Sequence, residues 1–329
     1  MIYSKAILLK MNKIFIGCFL LSAYFSNVSA QLKWQDVSKQ FGVLPSSLKV
    51  FESNDSLHGK PNRCIYIEAN LKDRSLEFTT EVLTGKRKTP TQYYDDGNQP
   101  LLVVNGTFFS FQTNSNINIA IKEGKIMAYN ISSVKAKTDS LHQYITRGAI
   151  GIRKNRTADV AWIYTDSTRP YSLALEDKPS SLQGAAKDPG YDYMKKNLGK
   201  KNGIKKKWKM ETAMGGGPVL ITAGKINITS KEERMFSGTE DELNPRTAMG
   251  YTSDNKLIIL MAEGRNPGVA AGLSLQQEAE ILLNLGCVEA LNLDGGGSSC
   301  LLLNGKETIK PSDKEGQRPV PAVFMIRRK

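Results

Sequence analysis

The sequence predicts a mixed α/β (α+β) fold, a single domain of mostly antiparallel sheet with few helices. Short apolar segments, several of them alternating, recur from Cys64 to the end of the chain. Glycine or asparagine turns join many successive pairs, and one segment alone carries the period, cap and stop signal of a helix. With 329 residues, 40% of them hydrophobic and 23% charged, the chain has material for one large core.

Residues 1–30 are read apart from that domain, as a signal peptide. Lys5, Lys10 and Lys13 precede an apolar run from Ile14 to Phe25, and Val28-Ser29-Ala30 supplies the small residues of a cleavage site. The run is too short for a stable membrane span, so the mature chain is expected to be exported without a transmembrane segment, to the periplasm or outside the cell. A lipidated Cys18 is the competing reading, but Phe15-Ile16-Gly17 before it fits that pattern poorly.

Residues 31–100 read as a lead-in with the first strands: a short helical start, a polar loop ending near Pro61, then alternating strands over Cys64–Leu71 and Leu76–Leu83. Residues 101–329 carry the rest. Leu101–Val104 is a continuous apolar run, as expected of a fully buried strand. Hairpins are expected at Glu123-Gly124, Ala223-Gly224, Ser253-Asp254-Asn255 and Asn304-Gly305. Residues 165–209, polar, lysine-rich and holding Pro170, Pro179 and Pro189, read as an inserted loop. Ser274 and Gln277 form a capping box, Leu275, Ala279, Leu282 and Leu285 share one apolar face, and Gly286 stops the helix. A buried strand, Val288–Leu293, follows at once and presents Asp294 at its carboxyl end.

Charge and cysteine content exclude several function classes. Cleavage after Ala30 removes three lysines and no acids, which takes the net charge from +13 to +10. Much of that charge lies in Lys195, Lys196, Lys200, Lys201, Lys205, Lys206, Lys207 and Lys209. Only Tyr193 and Trp208 flank this cluster, too few stacking aromatics for a nucleic-acid groove, so a solvated loop is expected and no nucleic-acid partner. Cys64, Cys287 and Cys300 read as buried free thiols, because an intervening strand would hold Cys287 and Cys300 roughly 20 Å apart. His58 and His142 have no metal-ligand spacing, which argues against a histidine zinc site or a Ser-His-Asp triad.

The informative segment is Asn292-Leu293-Asp294-Gly295-Gly296-Gly297-Ser298-Ser299. A carboxylate at a buried strand end is costly unless it has a partner or a task. Gly295, Gly296 and Gly297 permit close backbone approach to a ligand, and Ser298 adds a hydroxyl donor. A tight turn with Asp294 capping its own backbone is the plainer alternative. A second run, Gly215-Gly216-Gly217, precedes another apolar strand and suggests a second approach to the same ligand. Arg246 opens one strand and Glu263-Gly264-Arg265 closes another; arginine is the natural bidentate partner of phosphate or carboxylate. Asn105, after the buried run, is suited to sugar hydroxyls or to a turn.

Four segments, taken together, resemble the phosphodiester glycosidase family. They are Asn105–Phe109 (NGTFF), Gly215–Lys225 (GGGPVLITAGK), Asn244–Arg265 and Gly272–Ser299, and the similarity runs in order from about Val103 to Phe324. Thr107 stands where a second glycine is usual, and Glu263 where aspartate is usual. The resemblance implies hydrolysis of a sugar C1–O bond in a small or polymeric sugar-1-phosphodiester, releasing free sugar and a phosphomonoester. It implies Asp294, Glu263 and Arg265 as catalytic residues. Asn105, Arg246, Gly215, Gly216, Gly217, Gly295, Gly296, Gly297 and Ser298 would bind substrate. Glycosyl transfer ordinarily uses two carboxyl groups, here Asp294 and then Glu263, with Glu278 in reserve. No cofactor is expected to be required; Ca²⁺ or Mg²⁺ is compatible with carboxylates beside phosphate, but no ligand spacing argues for either. A non-catalytic envelope protein binding an anionic glycan is the functional alternative.

Overall fold

A computed structural model of the chain describes residues 32–135, 142–175, 179, 182–183, 204–235 and 240–329. The segment expected to be a signal peptide, Cys18 within it, and Lys195, Lys196, Lys200 and Lys201 lie outside the described residues. Gln31–Lys329 forms one compact unit. Its strands build sheets of eight, seven, five and three members, and the named pairings are antiparallel, as the turn pattern predicts.

The eight-stranded sheet positions the site. Its central strands are Cys64–Asn70, Lys256–Ala262, Arg246–Thr252 and Cys287–Asn292, followed by Val219–Thr222 towards one edge. Leu257, Ile259 and Met261 face the main core, while Ile258, Leu260 and Ala262 face a second one beneath the helix Leu275–Asn284. Both faces are thus covered, which is why Leu257–Met261 reads as an unbroken apolar run. Ser274 caps that helix through the Gln277 amide, and Gly286 leaves it at φ +85°. The main core is shared with the seven-stranded sheet, through Ile150 and Trp162, and with the five-stranded sheet, through Phe78, Val104 and Phe324.

Antiparallel register carries distant residues to one edge. Arg246 pairs with Ala262, and Ala248 pairs with Asn292, so the start of one strand meets the ends of two others. On the neighbouring strand, Val219 pairs with Leu291, which brings Gly217-Pro218 to the same edge. In the five-stranded sheet Leu102–Asn105 ends there too, since the Asp294 amide donates to the Gly106 carbonyl at 3.1 Å.

Three expectations change. The lead-in is not helical: Gln35–Asp36 and Leu48–Ser53 are strands of the eight-stranded sheet, with one 3₁₀ turn, Ser38–Phe41, between them. Val50 is fully buried in the main core, so packing decides the conformation there. Within the stretch expected to hold only the lead-in and first strands, residues 90–96 form the helix Pro90–Asp96, capped by Thr89 with Pro90 in its first turn. The segment 165–209 is not one loop, because Ser172–Leu175 and Ile204–Trp208 belong to the seven-stranded sheet. Cys64, Cys287 and Cys300 are free and buried, and burial pushes all three thiol pKa values up.

Candidate active site

A cavity of about 470 Å³ opens at the shared edge of the sheets. Asp294, Gly295, Gly296 and Gly297 line it together with Arg246, Arg265 and Arg318. Asn244, Glu242, Leu275, Met235 and Gly217-Pro218 complete the polar and packed sides, and Phe108, Phe109 and Phe111 form an aromatic wall. Three guanidinium groups thus meet the carboxyls of Asp294 and Glu242 around one cavity.

Asp294 keeps some surface towards the cavity, but protein atoms surround its carboxyl closely. Desolvation raises its pKa to about 7, against the opposing pull of the Ser298 hydroxyl, Arg318 and the Gly295 amide. The Gly295 amide donates to its Oδ1 at 3.0 Å. The group is therefore poised between its two protonation states near neutrality, as a catalytic acid or base requires.

Backbone carbonyls hold one of the arginines, and side chains hold the other two. Arg246 donates through Nε to the Leu273 carbonyl at 2.9 Å and through Nη2 to the Glu242 carbonyl at 3.0 Å. Desolvation lowers its pKa, with Glu278 and Glu242 acting the other way. Arg265 sits at φ +55°, a left-handed conformation unusual for a side chain of its size, and donates to Asn244 Oδ1 at 2.7 Å. Arg318 makes a bidentate pair with Asp313, at 2.7 and 2.9 Å.

The loop after Asp294 turns most of its amides inward. The amides of Gly296, Ser298 and Ser299 donate to the carbonyls of Pro245, Gly295 and Gly296, so they are engaged within the protein. What the glycines provide is room. A Cβ on Gly297 would lie 2.0 Å from Arg318 Nη2 and 2.1 Å from Asp313 Oδ1, and one on Gly296 would lie 3.3 Å from the Arg265 guanidinium. The missing side chains let two guanidinium groups lie flat against the loop.

Several predicted contacts are placed elsewhere. Asn105 is fully buried behind Asp294 and does not line the cavity: its Nδ2 donates to the Asp294 carbonyl at 2.6 Å, and its Oδ1 accepts from Thr247 Oγ1 and the Cys300 amide at 3.0 and 3.2 Å. Glu263 is also buried and outside the cavity wall; it accepts from Arg63 Nη1 and the Lys310 amide, both at 3.1 Å, and from Asn266 at 2.7 Å. Its three donors make it an anchor for the chain around Arg265. Of the second glycine run only Gly217 reaches the cavity, whereas Cβ atoms on Gly215 and Gly216 would strike Ile119 and Asn292 backbone at 2.8 and 2.3 Å. Ser298 is buried against the Asp294 carboxyl.

Sequence reasoning missed Arg318, Asn244, Glu242 and the aromatic wall. Arg318 lies in a turn-rich stretch with no strand to frame it, though it falls within the family-like region. Glu278, the reserve carboxyl, stands in the first turn of the helix and is fully buried, and neither carboxyl oxygen has a hydrogen-bond partner. Desolvation raises its pKa to about 8, opposed by Arg246.

Comparison with known proteins agrees with this architecture. The sequence profile of the phosphodiester glycosidase family matches residues 98–327. Human N-acetylglucosamine-1-phosphodiester alpha-N-acetylglucosaminidase is 37% identical over 84 residues, 26% of this chain and 16% of that protein. A prophage-derived uncharacterized protein of Bacillus subtilis (strain 168) is 37% identical over 70 residues, 21% of this chain and 11% of the other. The matched stretches thus span only a small part of these relatives' length. The zebrafish enzyme's catalytic domain, solved in a form auto-inhibited by its pro-peptide, superposes with a TM-score of 0.59 at 20% identity, covering 91% of this chain and 89% of that one. A hypothetical protein from Synechocystis gives 0.58 at 14% identity, covering 91% and 68%. At such identities the superpositions speak for the fold, and the profile match, running from the strand that carries Asn105 through the Asp294 loop to the last strand, shows that the chain belongs to the phosphodiester glycosidase family.

Proposed function

We propose that this protein hydrolyses the bond between the anomeric carbon of a sugar and a phosphodiester oxygen. Water supplies hydroxyl to the carbon and a proton to the departing oxygen, giving free sugar and a phosphomonoester. The observation that carries this reading is the meeting of Asp294 with Arg246, Arg265 and Arg318 around one cavity. A phosphate group already leaves readily, and guanidinium groups stabilise the charge it gains, so protonation is the lesser need. The useful form of Asp294 is then the carboxylate, which attacks the anomeric carbon or takes a proton from water. Asn105 and Glu263 hold the loops that carry Asp294 and Arg265, and act as positioning residues.

The human relative's name makes N-acetylglucosamine the first sugar to test. Catalysis in this reading needs no cofactor, so turnover should survive chelation of Ca²⁺ and Mg²⁺. Residues 1–30 support export to the periplasm or beyond; among the described residues no helix is long and apolar enough to cross a membrane. The test is release of free sugar from an α-linked sugar-1-phosphodiester by purified protein. Tight binding of an anionic glycan with no turnover, unaltered by Asp294→Asn, would favour a non-catalytic binding protein instead.

A further inference from the structure

Phe111 stands at the cavity mouth with 62% of its surface exposed, an unusual position for a large apolar side chain. It packs on Phe109, ring centroids 4.8 Å apart. Two guanidinium groups lie over it: Arg318 at 5.3 Å and Arg87 at 5.6 Å from the ring centroid, with Arg87 also 5.4 Å from the Phe109 ring. The two cations differ in one respect. The charge of Arg318 is matched by its bidentate pair with Asp313, whereas no described carboxylate pairs with Arg87. Cation–π contact occupies the face of a guanidinium and leaves its N–H edge open to an acceptor. An unmatched cation beside a second cation, on an exposed ring at the edge of the arginine-lined cavity, is complementary to negative charge.

We propose that Arg87 and Phe111 form a subsite for the aglycone, the group on the far side of the scissile phosphodiester, and that this aglycone carries its own negative charge. This rests on the hydrolytic reading. With the sugar phosphate held by Arg246, Arg265 and Arg318, the aglycone leaves through the mouth where these residues stand. The apolar part of the aglycone lies against the exposed surface of Phe111, and its anionic group, a further phosphate or a carboxylate, meets Arg87. The next phosphate of a glycosyl-phosphate polymer has this chemistry.

The experiment compares three N-acetylglucosamine-1-phosphodiesters, with ethyl, 2-carboxyethyl and 2-phosphoethyl aglycones, on wild type and Arg87→Ala. For wild type, KM is expected to be about tenfold lower for the charged aglycones, the size of one charge-assisted hydrogen bond. Arg87→Ala removes that preference, so the charged substrates lose about tenfold more than the ethyl one. A larger gain with the phosphate than with the carboxylate identifies a second phosphate as the natural group. Phe111→Ala weakens all three, since its stacking is indifferent to charge. Equal KM values for all three in wild type, or an equal loss on all three in Arg87→Ala, overturns the proposal. If none is hydrolysed the catalytic reading fails, and calorimetric binding of the same compounds still decides the subsite: charge preference lost in Arg87→Ala supports it, and no preference overturns it.

Discussion

The side-chain amide of Asn105 holds the main-chain carbonyl of Asp294 at 2.6 Å, linking the end of a five-stranded-sheet strand to the candidate catalytic loop. The same side chain accepts from Thr247 and the Cys300 amide, so one buried residue ties three segments behind the carboxylate. Asn105→Ala leaves buried donors unmet and is expected to lower stability by roughly 2–3 kcal/mol. Urea denaturation measures that loss, and kcat should fall with it because Asp294 is no longer fixed.

Burial pushes the Asp294 carboxyl up to about 7. If its carboxylate form is the active one, kcat/KM rises with pH through about 7 and then levels. Ser298 opposes the upward shift through its hydrogen bond, so Ser298→Ala moves the rise to higher pH. A pH–rate profile of the two proteins checks both statements, and a profile falling through pH 7 would assign the residue as an acid.

Glu278 makes a separate prediction about stability. Its folded pKa, about 8, lies above the ordinary 4.5, so the folded state keeps a proton that the unfolded chain releases between those values. More protons on the folded side means that unfolding free energy falls as pH rises from about 4.5 to about 8, then levels. Glu278→Gln keeps the neutral shape and removes this slope. The variant should match wild type near pH 4 and exceed it by a few kcal/mol above pH 8, measured as urea midpoints across the range. Parallel pH curves for the two proteins would show that Glu278 ionises freely.

Gly297 is required for space. The place a Cβ would take lies so close to Arg318 and Asp313 that Gly297→Ala must displace the ion pair. The expected result is at least about a tenfold drop in kcat/KM, the size of one lost charge-assisted contact, with a thermal midpoint close to wild type. Arg318→Lys, which cannot reproduce the bidentate pair, should reproduce the kinetic defect.

Much of this was legible in the sequence, for reasons particular residues show. The Asn304-Gly305 turn has positive φ at both positions, which Asn and Gly signal plainly, and in Ala223-Gly224 the glycine alone carries that signal. The capped helix from Leu275 and the strand leading to Asp294 follow local rules that tertiary packing did not override. Leu48–Ser53 was not legible, because its strand state comes from pairing with Cys64–Asn70. The direction in which Asn105 and Glu263 point was hidden too: residue type and neighbourhood place them near Asp294, but only register decides whether a side chain faces the cavity or the protein behind it. The glycine runs signal close approach, expected of a ligand. The approaching groups, however, are Arg318, Arg265 and neighbouring backbone, which no local pattern names.

The most direct test of the catalytic proposal is sugar release from an N-acetylglucosamine-1-phosphodiester, followed beside the Asp294→Asn protein. The account predicts release by wild type, with phosphomonoester formed in equal amount, and near-complete loss in the variant while substrate still binds. Equal turnover by the two proteins, or phosphate-ester cleavage that leaves the sugar phosphorylated, would contradict it.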